Sequence, residues 1–442
     1  MKIRFLIHNV YGAGGGVLTV INNLARTLSQ RHDVEIVSVL RTAELPVHQP
    51  PDGVVLRSLA DVRPGAHLSR TRGGLARSAI RRPSRLMPTE EPHYGSYSLY
   101  SDLMLRRYLQ SVQDGVLVGM QPGVNLAIAR FATDSVVRIG QDHRPLVDRK
   151  GPLLDEMRKY LPRLDAFLTL TRTDARRYRK VFRGSPPVRA MPNATPQYHG
   201  RISDHSHKVV TAAGHLSRDK GFDRLVAAWA IVHERHPDWK LRIFGTGKRM
   251  AELIDQIAAL GLADSARLMG YSTSLWEEMA DSSIFVGSSR VEGYAMVLME
   301  AMACGLPVIA VDAHGPATIV DPGETGWLVE PDDEAKLAEA LVEAVNDRER
   351  RVTMGAAAYR ASRARYAWPA LAEGLAEVYE AVVRGSAPTI NTSSVRGPCT
   401  PSTRSSSMSD VAEGPEMKVT GRPAERTPST STDTASGIPP TT

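Results

Sequence analysis

The 442-residue sequence predicts an α/β protein in which two Rossmann-like domains face each other across a cleft. The chain is longer than a single hydrophobic core usually fills, so two domains are expected. Short apolar runs alternate with helical segments in both halves, as in proteins with parallel sheets. A polar stretch near the middle interrupts the alternation. Ligands of open α/β sheets usually bind in the crevice outside the carboxyl ends of the strands.

The first half opens with a strand, a turn, a helix and a second strand. Ile3–Ile7 and Val34–Leu40 have the apolar pattern of buried strands, and Val17–Leu28 carries apolar residues at helical spacing. Residues 46–100 are rich in Arg, Pro and Gly and are predicted to be mostly loop with short strands. A basic helix is predicted at Thr173–Phe182, and further strands at Val116–Val118, Val136–Ile139 and Ala166–Leu170.

The second half repeats this alternation more regularly. Helices are predicted at Phe222–Arg235 and Met250–Leu260, and strands at Val209–Ala213, Lys240–Phe244, Ala266–Met269, Ile284–Gly287, Pro307–Val311 and Trp327–Val329. Because helices separate several of these strands, a second parallel sheet is expected.

Changes in composition divide the chain into segments. We expect a first domain at residues 1–195, a linker at 196–207 and a second domain at 208–366. A last helical segment follows at 367–385. The Ser-, Thr- and Pro-rich tail at 386–442 has the composition of a disordered segment. A dispensable tail is favoured over an interaction segment.

Charge and cysteine content narrow the classes of partner. The net charge of +7 favours an acidic partner such as a sugar nucleotide, an anionic polymer, a membrane surface or nucleic acid. Aromatic residues are only 6% of the chain, which argues against base-stacking platforms. Cys304 lies in an apolar run and Cys399 in a polar tail, so a reducing compartment is expected. The sequence contains no Cys or His spacing typical of zinc, so no metal site is expected.

The N-terminus is interpreted as a strand and not as a signal peptide. Its apolar run is short and leads into a glycine turn instead of a cleavage site. No stretch of the sequence approaches the ~20 apolar residues that a membrane span needs. A cytoplasmic protein is therefore expected, with peripheral contact at the inner face of the membrane as a further option.

Residues 288–307 are the most informative stretch. A strand is predicted to end before a loop that carries Glu292 and Gly293, and a helix starts near Ala295. Free N–H groups at a helix start suit a diphosphate, and Gly293 lets the backbone approach a ligand closely. The carboxylates of Glu292 and Glu300 suit sugar hydroxyls at two ends of an extended ligand. Two solvated charges at the ends of a helix are the alternative.

Three further loops carry candidate residues. The loop after the first strand of the second half holds Arg218 and Lys220, and either side chain can pair with phosphate. The Gly12–Gly16 turn lacks the dinucleotide fingerprint because Val17 occupies its last glycine position, but it can still approach an anion. His143 can donate to a sugar hydroxyl or to developing charge. Solvated or structural roles are the alternatives for all three.

The segment EGYAMVLMEAMACGLPV at residues 292–308 resembles the E-x7-E signature of the retaining family-4 glycosyltransferases, which have the GT-B fold. Thr325–Val329 resembles the family's next turn, and the likeness extends over roughly residues 1–385. It implies a GT-B enzyme that moves a hexosyl sugar from a nucleotide-diphosphate sugar to a glycan, lipid-linked or small-molecule acceptor with retention of configuration. It also implies cell-envelope or polysaccharide biosynthesis, and a last helix that packs back toward the first domain.

The resemblance also implies roles for individual residues. Glu292 would contact the donor sugar, Glu300 the ribose and Lys220 the diphosphate. The family usually has an Arg where this chain has His215, and Arg218 lies nearby. His143, Glu292 and Lys220 form the implied catalytic group, and the other donor-binding residues are Glu300, Gly15, Gly16, His215, Arg218, Gly245, Gly247, Tyr271, Gly293, Tyr294, Ala295 and Met296.

The implied chemistry needs no metal or other cofactor. Lys220, helix dipoles and glycine-loop amides would stabilise the charge on the leaving diphosphate. The leaving phosphate would help to deprotonate the acceptor, and closure of the domains would exclude water.

The acceptor is expected to bind mainly to the first domain. Seven arginines and no acids lie between residues 63 and 85, namely Arg63, Arg70, Arg72, Arg77, Arg81, Arg82 and Arg85. A second basic run lies at 176–183. These runs are either solvated surface or a docking site for an anionic membrane or a phosphate-bearing acceptor.

Other classes of protein stay open on the sequence. One is a nucleotide-sugar or glycan-binding protein of the same fold with weak or no turnover, and another is a nucleotide-sugar epimerase. A nucleic-acid binder rests on charge alone and is not favoured.

Overall fold

The computed structural model describes residues 1–12, 16–64, 74–195, 198–366 and 370–384. The first domain contains a parallel sheet made of β1 Lys2–Asn9, β2 Asp33–Arg41, β3 Val55–Asp61, β4 Val116–Gly119, β5 Val137–Asp142, β6 Ala166–Thr169 and β7 Val188–Ala190. These strands lie in the order β3-β2-β1-β4-β5-β6-β7. Its helices are α1 Gly16–Leu28, α2 Gly74–Arg81, α3 Leu99–Ser111, α4 Pro122–Phe131, α5 Gly151–Tyr160 and α6 Arg172–Val181.

The second domain contains another parallel sheet, made of β8 Val209–Ala213, β9 Lys240–Phe244, β10 Ala266–Gly270, β11 Ile284–Gly287, β12 Val308–Val311 and β13 Gly326–Val329. The strand order is β10-β9-β8-β11-β12-β13. Its helices are α7 Phe222–Arg235, α8 Met250–Ala259, α9 Leu275–Ala280, α10 Met296–Ala303, α11 Glu334–Asn346 and α12 Arg348–Ala361. The predicted pair of Rossmann-like domains is confirmed.

The strands form where the sequence has continuous apolar runs. Six successive residues of β1 are buried, and all five residues of β8 are buried. Strands covered by helices on both faces need apolar side chains on both faces, so they show runs instead of alternation. This is why the strands were the most readable elements of the sequence.

Two predictions about the first domain are wrong in part. Residues 46–100 were expected to be mostly loop with short strands; the short strand β3 lies there, but helix α2 and the start of helix α3 were not expected. Helix α3 begins at a capping box, in which the Ser98 side chain accepts from the Ser101 backbone and the Ser101 side chain accepts from the Ser98 backbone. The strand predicted at Val136–Ile139 continues to Asp142, because residues 139–142 of β5 pair with β6. Arg149 and Tyr178 hydrogen-bond the buried Asp142 carboxylate.

Helix α13 Ala370–Val383 belongs to the core of the first domain although it follows the second domain in the chain. Leu375, Val378 and Tyr379 are buried there. The Tyr379 ring lies 6.3 Å from the ring of Phe5 in β1. Residues 367–369 of the predicted last segment and the predicted tail at 386–442 lie outside the described residues.

Each sheet has one point at which the chain reverses the direction in which it adds strands. In the first sheet this point lies between β1 and β4, and in the second between β8 and β11. Loops that leave adjacent strands in opposite directions open a crevice at the carboxyl edge of the sheet. Two crevices are therefore expected, one in each domain.

Candidate functional site

The crevice of the second sheet is bounded by the loops that follow β8 and β11. The Ser288 hydroxyl donates to the carbonyl of Lys220 at 2.9 Å, and the Arg290 N–H donates to the carbonyl of Asp219 at 2.7 Å. A Cβ at Gly221, which has φ +64°, would collide with the Ser288 carbonyl. The two loops are therefore held together by their backbones, and glycine is required where they touch.

Lys220 and Glu292 form the charged centre of this crevice. The Lys220 ammonium group makes an ion pair with Glu292 Oε2, and the Ser289 hydroxyl donates to the same oxygen at 3.2 Å. Their side chains are 26% and 14% exposed, so the pair is partly shielded but open to a ligand. Both residues line one pocket together with Ser288, Ala295 and Pro316. Both residues were predicted as site residues from the sequence, and the structure places them in direct contact.

A second cluster of charged side chains links the two loops. Arg290 donates two hydrogen bonds of 2.7 Å to the Asp223 carboxylate, and Arg249 lies 3.2 Å from the same carboxylate. Burial of Asp223 favours its neutral form, but the hydrogen bonds and charges of the two arginines lower its pKa to about 2. The cluster is therefore ionised at neutral pH and fixes the loops that carry Lys220 and Glu292.

Glu300 lies on helix α10, one turn beyond its first residue. Helix α10 begins at Met296 and Glu292 lies in the preceding loop, as the sequence predicted. Among the described residues, no hydrogen bond or ion pair reaches the Glu300 carboxyl. Burial raises its pKa to about 7. Such a carboxyl gains most from a ligand that donates hydrogen bonds to it.

The remaining donor-side candidates lie along the same edge of the second sheet. The Leu216 N–H donates to the Thr246 carbonyl at 2.9 Å, and a Cβ at Gly245 or Gly247 would collide with the backbone of the loop after β8. His215 and Arg218 are exposed, and their side chains have no hydrogen bond or ion pair to other described residues. Tyr271 follows β10 and is 77% exposed. These residues surround the crevice without filling it.

The first domain contacts this site through residues 143 and 144. A Cβ at Gly293 would collide with the carbonyl oxygen of His143, so the two backbones touch. Arg144 pairs with Asp219 of the second domain at 3.3 Å. Gly16 at the start of α1 faces Met296, because a Cβ there would lie 3.9 Å from the Met296 Sδ. Gly15, also predicted at this position, lies outside the described residues.

His143 keeps two unused polar atoms at this contact. Both of its ring nitrogens are buried without a hydrogen-bond partner among the described residues. Burial lowers the pKa of His143 to about 4, so its ring is neutral at pH 7. The neighbouring Asp142 is held by Arg149 at 2.6 Å and by the Tyr178 hydroxyl at 2.7 Å. The neutral ring of His143 can donate one hydrogen bond to an uncharged ligand and accept one from it.

Sequence reasoning missed a polar cluster in the crevice of the first sheet. His8 ends β1 next to His93, and their rings stack at 4.5 Å with an angle of 3° between them. The Tyr97 ring packs against His8 at 4.8 Å. These residues are far apart in the sequence, and no motif links them. Only their position after a strand, in the case of His8, could have drawn attention to them.

The two parallel sheets and their crevices identify the fold of the chain. The chain has a GT-B fold, and its structure resembles that of the Anabaena protein HepE solved with UDP and glucose. The TM-score is 0.66 at 16% identity, over 86% of this chain and all of that one. A likeness at this identity concerns the fold alone.

Sequence comparison identifies the domain that carries Lys220 and Glu292. Residues 200–361 match the family described as glycosyl transferases group 1. The likeness to this family therefore concerns the domain at residues 200–361. The match begins in the predicted linker and ends with helix α12, so it includes the whole second sheet.

Two relatives extend the likeness over most of the chain. An exopolysaccharide phosphotransferase of Streptomyces coelicolor is 34% identical over 359 residues, which are 78% of this chain. The chain covers only 37% of that protein's length. An uncharacterized glycosyltransferase of Haemophilus influenzae is 24% identical over 358 residues and is covered to 91% of its length.

Within the described ranges, no helix is both long enough and apolar enough to cross a membrane.

Proposed function

We propose that the protein is a retaining glycosyltransferase that moves a hexosyl sugar from a nucleotide-diphosphate sugar to a hydroxyl group of an acceptor. The observation that carries this proposal is the Lys220–Glu292 pair at the strand-order reversal of the group 1 domain. A cation for the diphosphate and a carboxylate for sugar hydroxyls lie side by side there. The E-x7-E pattern of Glu292 and Glu300 supports the same proposal.

The proposed step breaks the bond between the anomeric carbon and the diphosphate oxygen. A new bond forms between that carbon and the acceptor oxygen on the same face of the sugar. The acceptor proton passes to an oxygen of the leaving diphosphate, so a nucleoside diphosphate is released. Lys220 and the N–H groups at the start of α10 would stabilise the negative charge that develops on the leaving group.

Other residues would hold the two ends of the donor. The Glu300 carboxyl would accept hydrogen bonds from the ribose, and Glu292 would accept them from the sugar. The neutral ring of His143 would contact the sugar from the first domain. In this proposal the charge is balanced by these groups, and no metal or other cofactor is required.

The acceptor side is proposed more broadly. It is a glycan, a lipid-linked glycan or a small molecule in the biosynthesis of a cell envelope or an extracellular polysaccharide. The name of the Streptomyces exopolysaccharide phosphotransferase supports the polysaccharide. The exposed arginines Arg81, Arg82 and Arg85 support peripheral contact of a cytoplasmic protein with an anionic membrane. Arg70, Arg72 and the Arg77 side chain lie outside the described residues. Binding to anionic vesicles across salt concentrations tests this part.

A panel of nucleotide sugars tests the central proposal. One donor is expected to raise the melting temperature and to release a nucleoside diphosphate. Lys220→Ala is expected to abolish both effects, whereas Lys240→Ala, at the opposite edge of the sheet, leaves them unchanged. A panel without any response contradicts the proposal. Release of a nucleoside monophosphate instead would indicate transfer of a sugar phosphate, and the Streptomyces relative is named as a phosphotransferase.

Donor binding without turnover is the second candidate function. His215 favours it, because this exposed residue lies where the family usually has an Arg for the diphosphate. If the wild-type chain binds a donor without cleaving it and His215→Arg gains activity, the second candidate replaces the first. If the wild-type chain releases nucleoside diphosphate, the second candidate is excluded.

A further inference from the structure

The crevice of the first sheet is built like that of the second. His8 lies at the end of β1 and Gln121 just after β4, the two strands between which the strand order reverses. The backbone N–H of His8 donates to the side-chain oxygen of Gln121 at 2.9 Å. In open α/β sheets this is the place where ligands bind. The donor would occupy the equivalent place in the second sheet, so this crevice is free for another ligand.

Aromatic rings line the crevice. His8 is buried, its ring is hydrogen-bonded to the Ser96 hydroxyl at 2.6 Å, and one face of it is covered by His93. His93 is exposed, and no hydrogen bond to its ring nitrogens is present among the described residues. The Ser96 hydroxyl gives its own proton to the His93 carbonyl at 2.6 Å. His8 therefore donates to Ser96, which fixes its ring and thereby the ring stacked upon it.

Two buried polar atoms beside these rings have no partner. They are the Tyr97 hydroxyl and Glu91 Oε1, and both residues are only 3% exposed. The other Glu91 oxygen accepts the Gly123 N–H at 2.9 Å, at the start of α4. A buried polar atom without a hydrogen bond costs about 1–3 kcal/mol, so such atoms usually serve a ligand or hold water. A ligand hydroxyl would satisfy each of them.

The charges around the crevice do not favour an anion. Burial and the His93 charge lower the pKa of His8 to about 3, and burial and Arg144 lower the pKa of His93. Both rings are therefore neutral at pH 7. The neighbouring cation Arg144 already pairs with Asp148 and Asp219. A phosphate group would find no unpaired cation among the described residues of this cluster.

We propose that His8, Glu91, His93 and Tyr97 form the acceptor-binding site, and that the acceptor presents an uncharged carbohydrate ring to it. This inference rests on the proposed function, because it assigns the second substrate of the same transfer. Arg144, whose charge lowers the pKa of His93, pairs with Asp219 in the donor loop, so this side chain links the site to the donor crevice. The hydroxyls of the carbohydrate ring would form hydrogen bonds with Tyr97, Glu91 and the His93 nitrogens. The His8 ring, stacked on His93, would hold it in position.

Two variants remove ligand-binding atoms without disturbing the packing. Tyr97→Phe deletes the unpartnered hydroxyl, and His93→Phe keeps a ring stacked on His8 but removes its nitrogens. Tyr108→Phe is the matched control, because Tyr108 also has a buried hydroxyl without a partner but lies on α3. All three substitutions are made in the full chain.

Binding of neutral oligosaccharides and of their phosphorylated counterparts is measured by saturation-transfer NMR, with and without UDP. The wild-type chain is expected to bind a neutral oligosaccharide, with at least tenfold weaker binding in Tyr97→Phe and His93→Phe and unchanged binding in Tyr108→Phe. UDP binding, measured in the same samples, is expected to be equal in all four proteins.

Three results would overturn the inference: no neutral oligosaccharide binds to the wild-type chain, both variants bind as tightly as the wild type, or only phosphorylated glycans bind. Failure of the proposed function is recognised separately. If UDP and nucleotide sugars do not bind but glycan binding still depends on Tyr97, the donor proposal fails and the carbohydrate site stands.

Discussion

Lys220 and Glu292 neutralise each other while the donor crevice is empty. A diphosphate that enters must share the Lys220 ammonium group with the Glu292 carboxylate, which accepts from it. The carboxylate repels the phosphates but accepts hydrogen bonds from sugar hydroxyls. The pair therefore weakens binding of the nucleotide but holds the sugar in the correct position.

Glu292→Gln separates these two effects. Because the substitution frees Lys220 and removes a negative charge, the nucleoside diphosphate of the donor, UDP if the panel identifies a uridine sugar, is expected to bind several-fold tighter, as measured by calorimetry. Transfer from the complete donor is expected to fall about 100-fold, since an interaction with the reacting sugar is lost. Glu324→Gln, an exposed glutamate outside the crevice, is the control and should change neither value. Weaker UDP binding in Glu292→Gln would contradict this account of the pair.

Glu300 predicts a dependence of stability on pH. Burial raises its folded-state pKa to about 7, above the ordinary value of 4.5. The folded state therefore keeps its proton where the unfolded state has lost it, and stability falls as pH rises from about 4.5 to about 7. Glu300→Gln removes this fall, so the free energy of unfolding at pH 8 is expected to rise by about 3 kcal/mol.

Denaturant unfolding of wild type and Glu300→Gln at pH 4 and pH 8 measures the effect. The difference between the two proteins isolates Glu300 from Glu91, whose pKa burial also raises to about 7. Equal stability of the two proteins at both pH values would show that Glu300 is not buried in the ligand-free state. A saturating nucleotide should reduce the difference, because ribose hydroxyls stabilise the ionised carboxylate.

Some site residues could be predicted from the sequence and others could not. Lys220 and Glu292 were predicted because each lies in a loop after a readable strand, next to a glycine or a helix start. Their direct contact could not be predicted, since it depends on β8 and β11 being neighbours in the sheet. His93 carries no local signal, and His8 is marked only by its position after the first predicted strand. Their stacking brings together residues that are far apart in the sequence.

At the scale of elements, buried strands and the helices α1 and α6 of the first domain were predicted well, but the helices between β3 and β6 were not. Helices α3, α4 and α5 were missed, although Ser98 caps α3 and Pro122 begins α4. Their boundaries depend on caps and on contacts with the sheet, which short apolar patterns do not display. Several strands of the second domain were predicted to the residue, because each is a short apolar run followed by a glycine or polar turn.

The loop between β11 and α10 joins the two domains at Gly293. Gly293→Ala would place a methyl group against the His143 carbonyl, so the domains are expected to separate at this point. UDP binding, which uses the second domain, should persist, while transfer should fall at least tenfold. Gly374→Ala on α13 is the control, because nothing lies near a Cβ there. It should leave transfer unchanged and raise stability by about 0.5–1 kcal/mol. Full activity of Gly293→Ala would show that this contact is dispensable.

At the scale of the whole molecule, the two domains are joined covalently in two places. The chain passes from the first sheet to the second after β7, and it returns through α13, whose Tyr379 is fully buried against β1. Between these connections, the described contacts across the crevices are few and partly polar. Such an arrangement allows the domains to close on a ligand without unfolding either core.

The Arg144–Asp219 pair is the charged contact that favours closure of the crevices. Its side chains are 46% and 54% exposed, so the pair contributes at most about 1 kcal/mol and is weakened by salt. Arg144→Ala and Asp219→Ala are each expected to lower the transfer rate two- to fivefold at low ionic strength. The double variant should be no slower than the slower single variant, because both substitutions remove one interaction.

Salt provides the decisive comparison for this pair. Between low salt and 0.5 M salt the wild-type rate should fall to that of Arg144→Ala, whose own rate should change little. Arg158→Ala is the control, since Arg158 also forms an exposed pair, with Asp155, but within a single helix of the first domain. If Arg144→Ala retains the wild-type dependence on salt, closure is controlled by the Gly293–His143 backbone contact and not by charge.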